Sequence, residues 1–217
     1  WDLNQPIMFW YGLAFSGDGC VERVDLDNNG LMGSIPSEIG EILNLKWLVL
    51  DSNQLSGPIP VSIGNLSDLE VLSLGFNQLT GSIPVEFQKL TNLKELFLLY
   101  NQLSGNIPES MSSLVNLEEV FLNDNQLSGS IPQGIGQLVN MRILHLHRNQ
   151  LTGTIPSSLG NLADIEELRL DSNQISGTIP ESLGNLSKAK LFVLRVNQLT
   201  GHIPATLANL SNVELLQ

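Results

Sequence analysis

The sequence predicts an α/β solenoid, a chain that climbs through stacked coils of equal length, each adding one short strand to a shared parallel sheet. Three columns of residues predict it. Asparagine recurs at Asn29, Asn53, Asn77, Asn101, Asn125, Asn149, Asn173 and Asn197, in steps of 24 residues without insertion. Four residues after each stands a glycine, from Gly33 to Gly201, and seven residues after each a proline, from Pro36 to Pro204. Three columns in register through eight steps mark an internal structural repeat, which outweighs any local propensity.

Residues 1–20 precede the repeat and are read as an N-terminal cap. Residues 21–217 are read as the repeat domain, with eight full units, the start of a ninth and no C-terminal cap. Trp1 is not a start residue and Gln217 falls inside a unit, so the sequence reads as a piece of a longer chain. Residues 69–92 show the order of elements within a unit. Leu69, Leu72 and Leu74 point inward from a short strand and the turn leading into it, and the residues between them point outward, as a two-residue period demands. Asn77 follows where the chain turns. Its amide carries a donor and an acceptor, and can satisfy backbone groups that the buried turn would orphan. Leu79 and Ile83 return to the core. Gly81 permits a bend that a Cβ would block, and Pro84 suits an edge or a helix start. Phe87 and Leu90 close the coil through a short helical turn. No coil buries its apolar side alone; stacking at about 4.8 Å per strand does.

Composition narrows the function classes. Hydrophobic residues make up 42 % of the 217, enough for a packed core, and no run of about 18 apolar residues is present to span a bilayer. The net charge of −12 argues against nucleic acid and against direct contact with an anionic membrane. Residues 1–140 hold four basic and sixteen acidic residues, whereas residues 141–217 hold six of each. The single cysteine, Cys20, excludes an internal disulfide framework and reads as a small buried hydrophobe.

The repeated NxLxGxIPxxLGNL resembles the plant-type leucine-rich repeats of receptor-like kinase ectodomains and polygalacturonase-inhibiting proteins, over residues 21–217. The resemblance implies a right-handed superhelix with a concave parallel sheet, a second smaller sheet from the LxGxIP segments, and ligands on the concave face. Met8, Phe9, Trp10, Tyr11, Gly12, Leu13, Ala14 and Phe15 are similar to that family's cap, with Met8 and Phe15 where it has two cysteines. Apolar packing is expected in place of the bridge. The family points to an extracellular or cell-surface location, and the missing cap disulfide leaves an intracellular one as the alternative.

Framework positions are set by the coil, so function is expected at the outward ones. An apolar patch is expected from Trp47, Val49, Phe76, Phe97, Leu99, Tyr100 and Phe121; contiguous exposed patches mark interaction sites, and aromatics are common hot spots. Glu95, Glu118, Glu119 and Asp124 rim it and favour a basic or polar partner. A second cluster joins His145, His147, Arg148, Arg142 and Arg169. The His145–His147 spacing could hold a metal, but no cysteine or third histidine lies near and the arginines repel a cation, so an anionic contact fits better and plain solvated surface better still.

No phosphate-binding glycine loop, HExxH or GxSxG is present, and an open face gives paired carboxylates little desolvation. No enzyme, metal or cofactor is expected. Asn65, Asn185 and Asn209 head N-x-S sequons and are candidate glycosylation acceptors. The leading reading is a protein- or peptide-binding recognition module using the concave strand face. The alternatives are a structural subunit packed permanently in a larger assembly, or an inhibitor of a secreted polysaccharide-degrading enzyme. An ice-binding role has less support, since no flat threonine array recurs.

Overall fold

The computed structural model describes residues 11–217. A ten-stranded sheet passes through every coil. Leu13–Phe15 lies antiparallel to Val21–Asp25, and from there each strand runs parallel to the next: Trp47–Val49, Val71–Ser73, Glu95–Phe97, Glu119–Phe121, Ile143–His145, Glu167–Arg169, Leu191–Val193 and Leu215–Leu216. The register is 24 residues throughout, with Phe97 opposite Phe121 and Phe121 opposite His145. Residues one period apart are therefore side-by-side neighbours, as the sequence predicts.

The LxGxIP segments form smaller parallel sheets. Met32–Gly33, Gln54–Pro58 and Gln78–Thr80 make one, Ser104–Asn106, Gln126–Ser130 and Gln150–Thr152 a second, and Ser176–Gly177 with Gln198–Leu199 a third. Here the register is 22 residues, with Met32 opposite Gln54 and Ser128 opposite Gln150. Gly81 at the end of one such segment adopts φ +76°, the left-handed conformation that glycine enters without a Cβ penalty. Each proline then sets an extended residue immediately before a five-residue 3₁₀ turn. Pro84, at φ −63°, precedes Val85–Lys89.

The core is the inward column of every coil. Leu69, Leu72, Leu74, Leu79, Ile83, Phe87 and Leu90 are all buried. The asparagines hold the turns. Asn125 Nδ2 reaches the carbonyls of Leu98, Leu122 and Asn123 at 2.9, 3.2 and 3.3 Å, and its Oδ1 accepts from Leu103 N at 2.9 Å. The amides do not bond to one another. From Asn53 to Asn197, each ties its own turn to the backbone of the coil before it, which locks the stacking phase.

Three expectations are corrected. Cys20 is exposed rather than buried, because it sits in the loop between the two cap strands, where its N–H bonds the Ser16 hydroxyl. The strands are only three residues long in most coils, so Leu99 and Tyr100 lie in the following turn and not on the strand itself. Phe76 likewise lies in a turn: its column, Asn28, Ser52, Phe76, Tyr100, Asp124, Arg148, Ser172 and Val196, takes φ between +50° and +58°, because each coil must reverse direction there. In the cap, Phe15 ends the first strand and is half-buried, while Met8, Phe9 and Trp10 lie outside the described residues.

Candidate functional site

The outward side of the long sheet carries two aromatic rows. In the first, Phe97 and Phe121 meet edge-to-face with ring centroids 5.2 Å apart, and Phe121 meets His145 in the same way at 4.6 Å. Neighbouring coils cover these rings in part, and Phe97 and Phe121 are half-buried. In the second row, Phe76 and Tyr100 stack at 4.7 Å with planes 14° apart, and remain 48 % and 43 % exposed. Chain order puts the column Gly75, Leu99, Asn123 between the rows. Gly75 makes room there: a Cβ on it would lie 2.7 Å from Leu99 Cδ2 and 2.9 Å from Asp51 Oδ1. Trp47 and Val49 continue the apolar surface toward the first coils and are half-buried. Of the seven apolar residues expected at the site, Trp47, Val49, Phe97 and Phe121 lie on strands of the long sheet and Phe76, Leu99 and Tyr100 in the turns that follow, with Phe76 and Tyr100 the most accessible.

The acidic rim divides in two. Glu95 and Glu119 are register partners on adjacent strands, two residues before the Phe97–Phe121 pair in the chain. Burial first, then the Glu119 and Glu118 carboxylates, push the Glu95 carboxyl above the usual range. The nearest cation to Glu119 is Arg142 at 3.9 Å, and that guanidinium is engaged with Glu166 at 3.0 Å. Asp124, by contrast, is satisfied. It accepts from Asn123 Nδ2 at 2.9 Å and from Arg148 at 3.3 Å, and its second oxygen lies 3.8 Å from His147 Nε2.

The histidine cluster is not solvated surface. His145 and His147 are only 8 % and 6 % exposed, because flanking side chains close over their strands. His145 Nε2 lies 2.9 Å from Glu167, and Arg169 pairs with the buried Asp171 at 3.2 Å. Burial is the largest cause lowering both imidazoles, with Glu167 opposing it at His145 and Arg169 reinforcing it at His147, which falls to about 4. The pair is therefore neutral near pH 7 and offers an anion no charge. Arg142 belongs to another set of residues, and Arg148 and Arg169 are each committed to an aspartate. Two buried acceptor-capable atoms, Asn123 Oδ1 and His147 Nδ1, have no partner among the described residues. No group of three or more His, Cys, Asp or Glu side chains converges among those residues.

One feature escaped the reading of the outward columns. Glu22, Lys46, Glu70, Lys94, Glu118, Arg142, Glu166, Lys190 and Glu214 follow one another at 24-residue intervals with alternating sign. Lys46 bonds Glu22 at 2.7 Å, Lys94 bonds Glu70 at 2.7 Å, and Glu166 receives both Arg142 at 3.0 Å and Lys190 at 2.6 Å. The signal lay one residue before the column Arg23, Trp47, Val71, Glu95, Glu119, Ile143, Glu167 and Leu191. The column's cations are engaged with Glu22, Glu70 and Glu166, and Glu95 beside it has no cation in ion-pair range among the described residues, while Glu119 has Arg142 at 3.9 Å.

A family model described as leucine rich repeat matches residues 43–103, and a second of the same description matches residues 20–42, 116–138, 140–162 and 164–186. No curated protein matches the sequence. The plant peptide hormone receptor RGFR1, solved in complex with RGF2, is 35 % identical with a TM-score of 0.89, over 94 % of this chain and 36 % of that one. The ectodomain of the Arabidopsis receptor kinase HAESA, solved with an N-terminally extended IDA peptide hormone, is 35 % identical with a TM-score of 0.86, over 97 % and 36 %. The ectodomain of the receptor kinase SOBIR1 from Arabidopsis thaliana is 33 % identical with a TM-score of 0.58, over 66 % and 84 %. The chain spans about a third of the length of the first two ectodomains.

Proposed function

The chain belongs to the leucine-rich-repeat family in its plant-type form, and from that premise we propose that it is a non-catalytic peptide- or protein-binding module whose ligand docks on the outward, concave face of the long sheet. The observation that carries this is the Phe76–Tyr100 pair. The turn forces φ above +50° at that column. Asparagine, aspartate or serine suits such a backbone better than a bulky side chain does. Two aromatics there, stacked on each other and open to solvent, are not asked for by the coil. Outliers of this kind gather at functional sites. The similar receptors solved with peptide hormones support the same reading, and with it an extracellular or cell-surface location.

The mechanism is rigid docking. Asparagine-locked coils hold the rings in place before the ligand arrives, so little ordering entropy is lost on their side. Aromatic area supplies the centre of the contact and charged groups its rim. Combined replacement of Phe97, Tyr100 and Phe121 by serine is expected to abolish capture of peptides selected from a random display library on the parent protein, with circular dichroism unchanged. Retained capture by a folded variant would reject the face. A permanently packed subunit is the rival reading, and it expects a chain that self-associates in light scattering and enriches no peptide.

A further inference from the structure

The two aromatic rows run across the coils, and the column Gly75, Leu99, Asn123 lies between them. Adjacent coils are about 4.8 Å apart in this direction. An extended chain repeats side chains on one face at roughly 6.6–6.8 Å, so a few peptide residues suffice to cross from Phe76 to Phe121. Beyond the Phe97–Phe121 row, two residues earlier in each strand, Glu95 and Glu119 stand opposite each other, half-buried, with no cation in ion-pair range of Glu95 among the described residues. The cations that could have neutralised them are held elsewhere, Lys94 by Glu70 at 2.7 Å and Arg142 by Glu166 at 3.0 Å.

Further along the coils, Asn123 and His147 each keep one buried polar atom without a partner among the described residues. Asn123 Nδ2 donates to Asp124 Oδ2, which fixes the amide and leaves Asn123 Oδ1 as an acceptor. His147 Nε2 lies 3.8 Å from the same carboxylate, and its Nδ1 is buried without a partner among the described residues. Both atoms are buried, so it is the acidic rim that calls for positive charge. An acidic peptide has the wrong sign, and so has a second copy of this chain, which carries −12.

We propose, resting on the peptide-binding reading, that the strip between the Phe97–Phe121 row and the Phe76–Tyr100 pair takes an extended peptide segment in which an apolar or aromatic residue is accompanied by a lysine or arginine whose cation sits between Glu95 and Glu119. Specificity then divides in two: the rings select for apolar area, and the glutamate pair selects for the charge beside it. Docking a cation relieves the repulsion between two carboxylates of which Glu95 has no ion-pair partner among the described residues and Glu119 only a 3.9 Å approach from Arg142.

The probe is a random peptide display library, selected at neutral pH on the parent chain, on Glu95→Gln/Glu119→Gln and on Phe97→Ser/Phe121→Ser. The parent chain is expected to enrich peptides with Lys or Arg at a constant spacing from an aromatic or branched apolar residue. The glutamine pair, which keeps shape and removes charge, is expected to retain the apolar preference and lose the basic one. Its affinity for a parent-selected basic peptide should fall roughly tenfold or more, with a flatter dependence on salt. Enrichment of apolar peptides without a basic preference, of acidic peptides, or equal affinity of the glutamine pair for the basic peptide overturns the charge assignment and leaves the binding face standing. Enrichment of no peptide by the folded parent chain overturns both.

Discussion

Two kinds of residue shape each coil. The repeating asparagines do the work of several backbone partners at once. Asn125 engages three carbonyls and one N–H, spread over its own coil and the one before. Leucine there would keep the volume and orphan those groups, so Asn125→Leu is expected to cost about 2–4 kcal/mol, read from the midpoint of urea denaturation. The left-handed column behaves in the opposite sense. Val196 is β-branched, exposed and at φ +55°, with no stacking partner of the kind Phe76 and Tyr100 give each other. Val196→Asn is expected to stabilise by about 1 kcal/mol, measured as a raised Tm; an unchanged or lower Tm would remove the strain from the account of this column.

At the level of the element, the 3₁₀ turns show how tightly the coils are packed. In Gln133–Gln137, a Cβ on Gly136 would lie 2.3 Å from the Ser158 carbonyl oxygen of the next coil, a backbone atom that cannot swing aside. Gly136→Ala is therefore expected to destabilise by roughly 1–3 kcal/mol, although helical propensity alone would favour alanine. The same turns end at the three sequon asparagines, Asn65, Asn185 and Asn209, which are all exposed. They belong to the turn side of the coils and not to the long sheet. Expression through a secretory route is expected to add glycan mass at these sites, lost on Asn→Gln substitution, with peptide capture unaffected. Capture that changes with the glycans would put the ligand on the turn side.

For the whole molecule, two electrostatic features act over distance. Residues 1–140 carry the entire net charge of −12 and residues 141–217 none, so a basic ligand is steered toward the half that holds Glu95 and Glu119. The buried histidines set the response to acid. His147 faces Arg169, Asp171, His145 and Asp124, and burial with Arg169 lowers it from 6.5 to about 4. The unfolded chain takes up the proton first. Stability from this group is complete above about pH 6.5 and is lost as pH falls toward about 4. Tm is expected to drop across that window, and His147→Gln to flatten the drop; an equally steep fall in that variant would place acid sensitivity elsewhere.

The 24-residue period by itself determined the solenoid, the inward leucines, the glycine and proline roles and the membership of each outward column, because a stack of equal coils turns sequence spacing directly into spatial neighbourhood. Phe97 and Phe121 could be placed side by side before any coordinate was known for that reason. What one period cannot show is how side chains lean once the sheet is built. Only the tertiary structure decided that His145 and His147 are closed over, that Arg142 serves Glu166, and that Glu95 is left without a cation. It also decided that the Phe76–Tyr100 column is left-handed turn and not strand. Burial and ion pairing depend on the sizes and reach of several neighbouring columns together, and backbone reversal depends on closing the coil. Both are properties of packing, which the order of residues along a single coil does not contain.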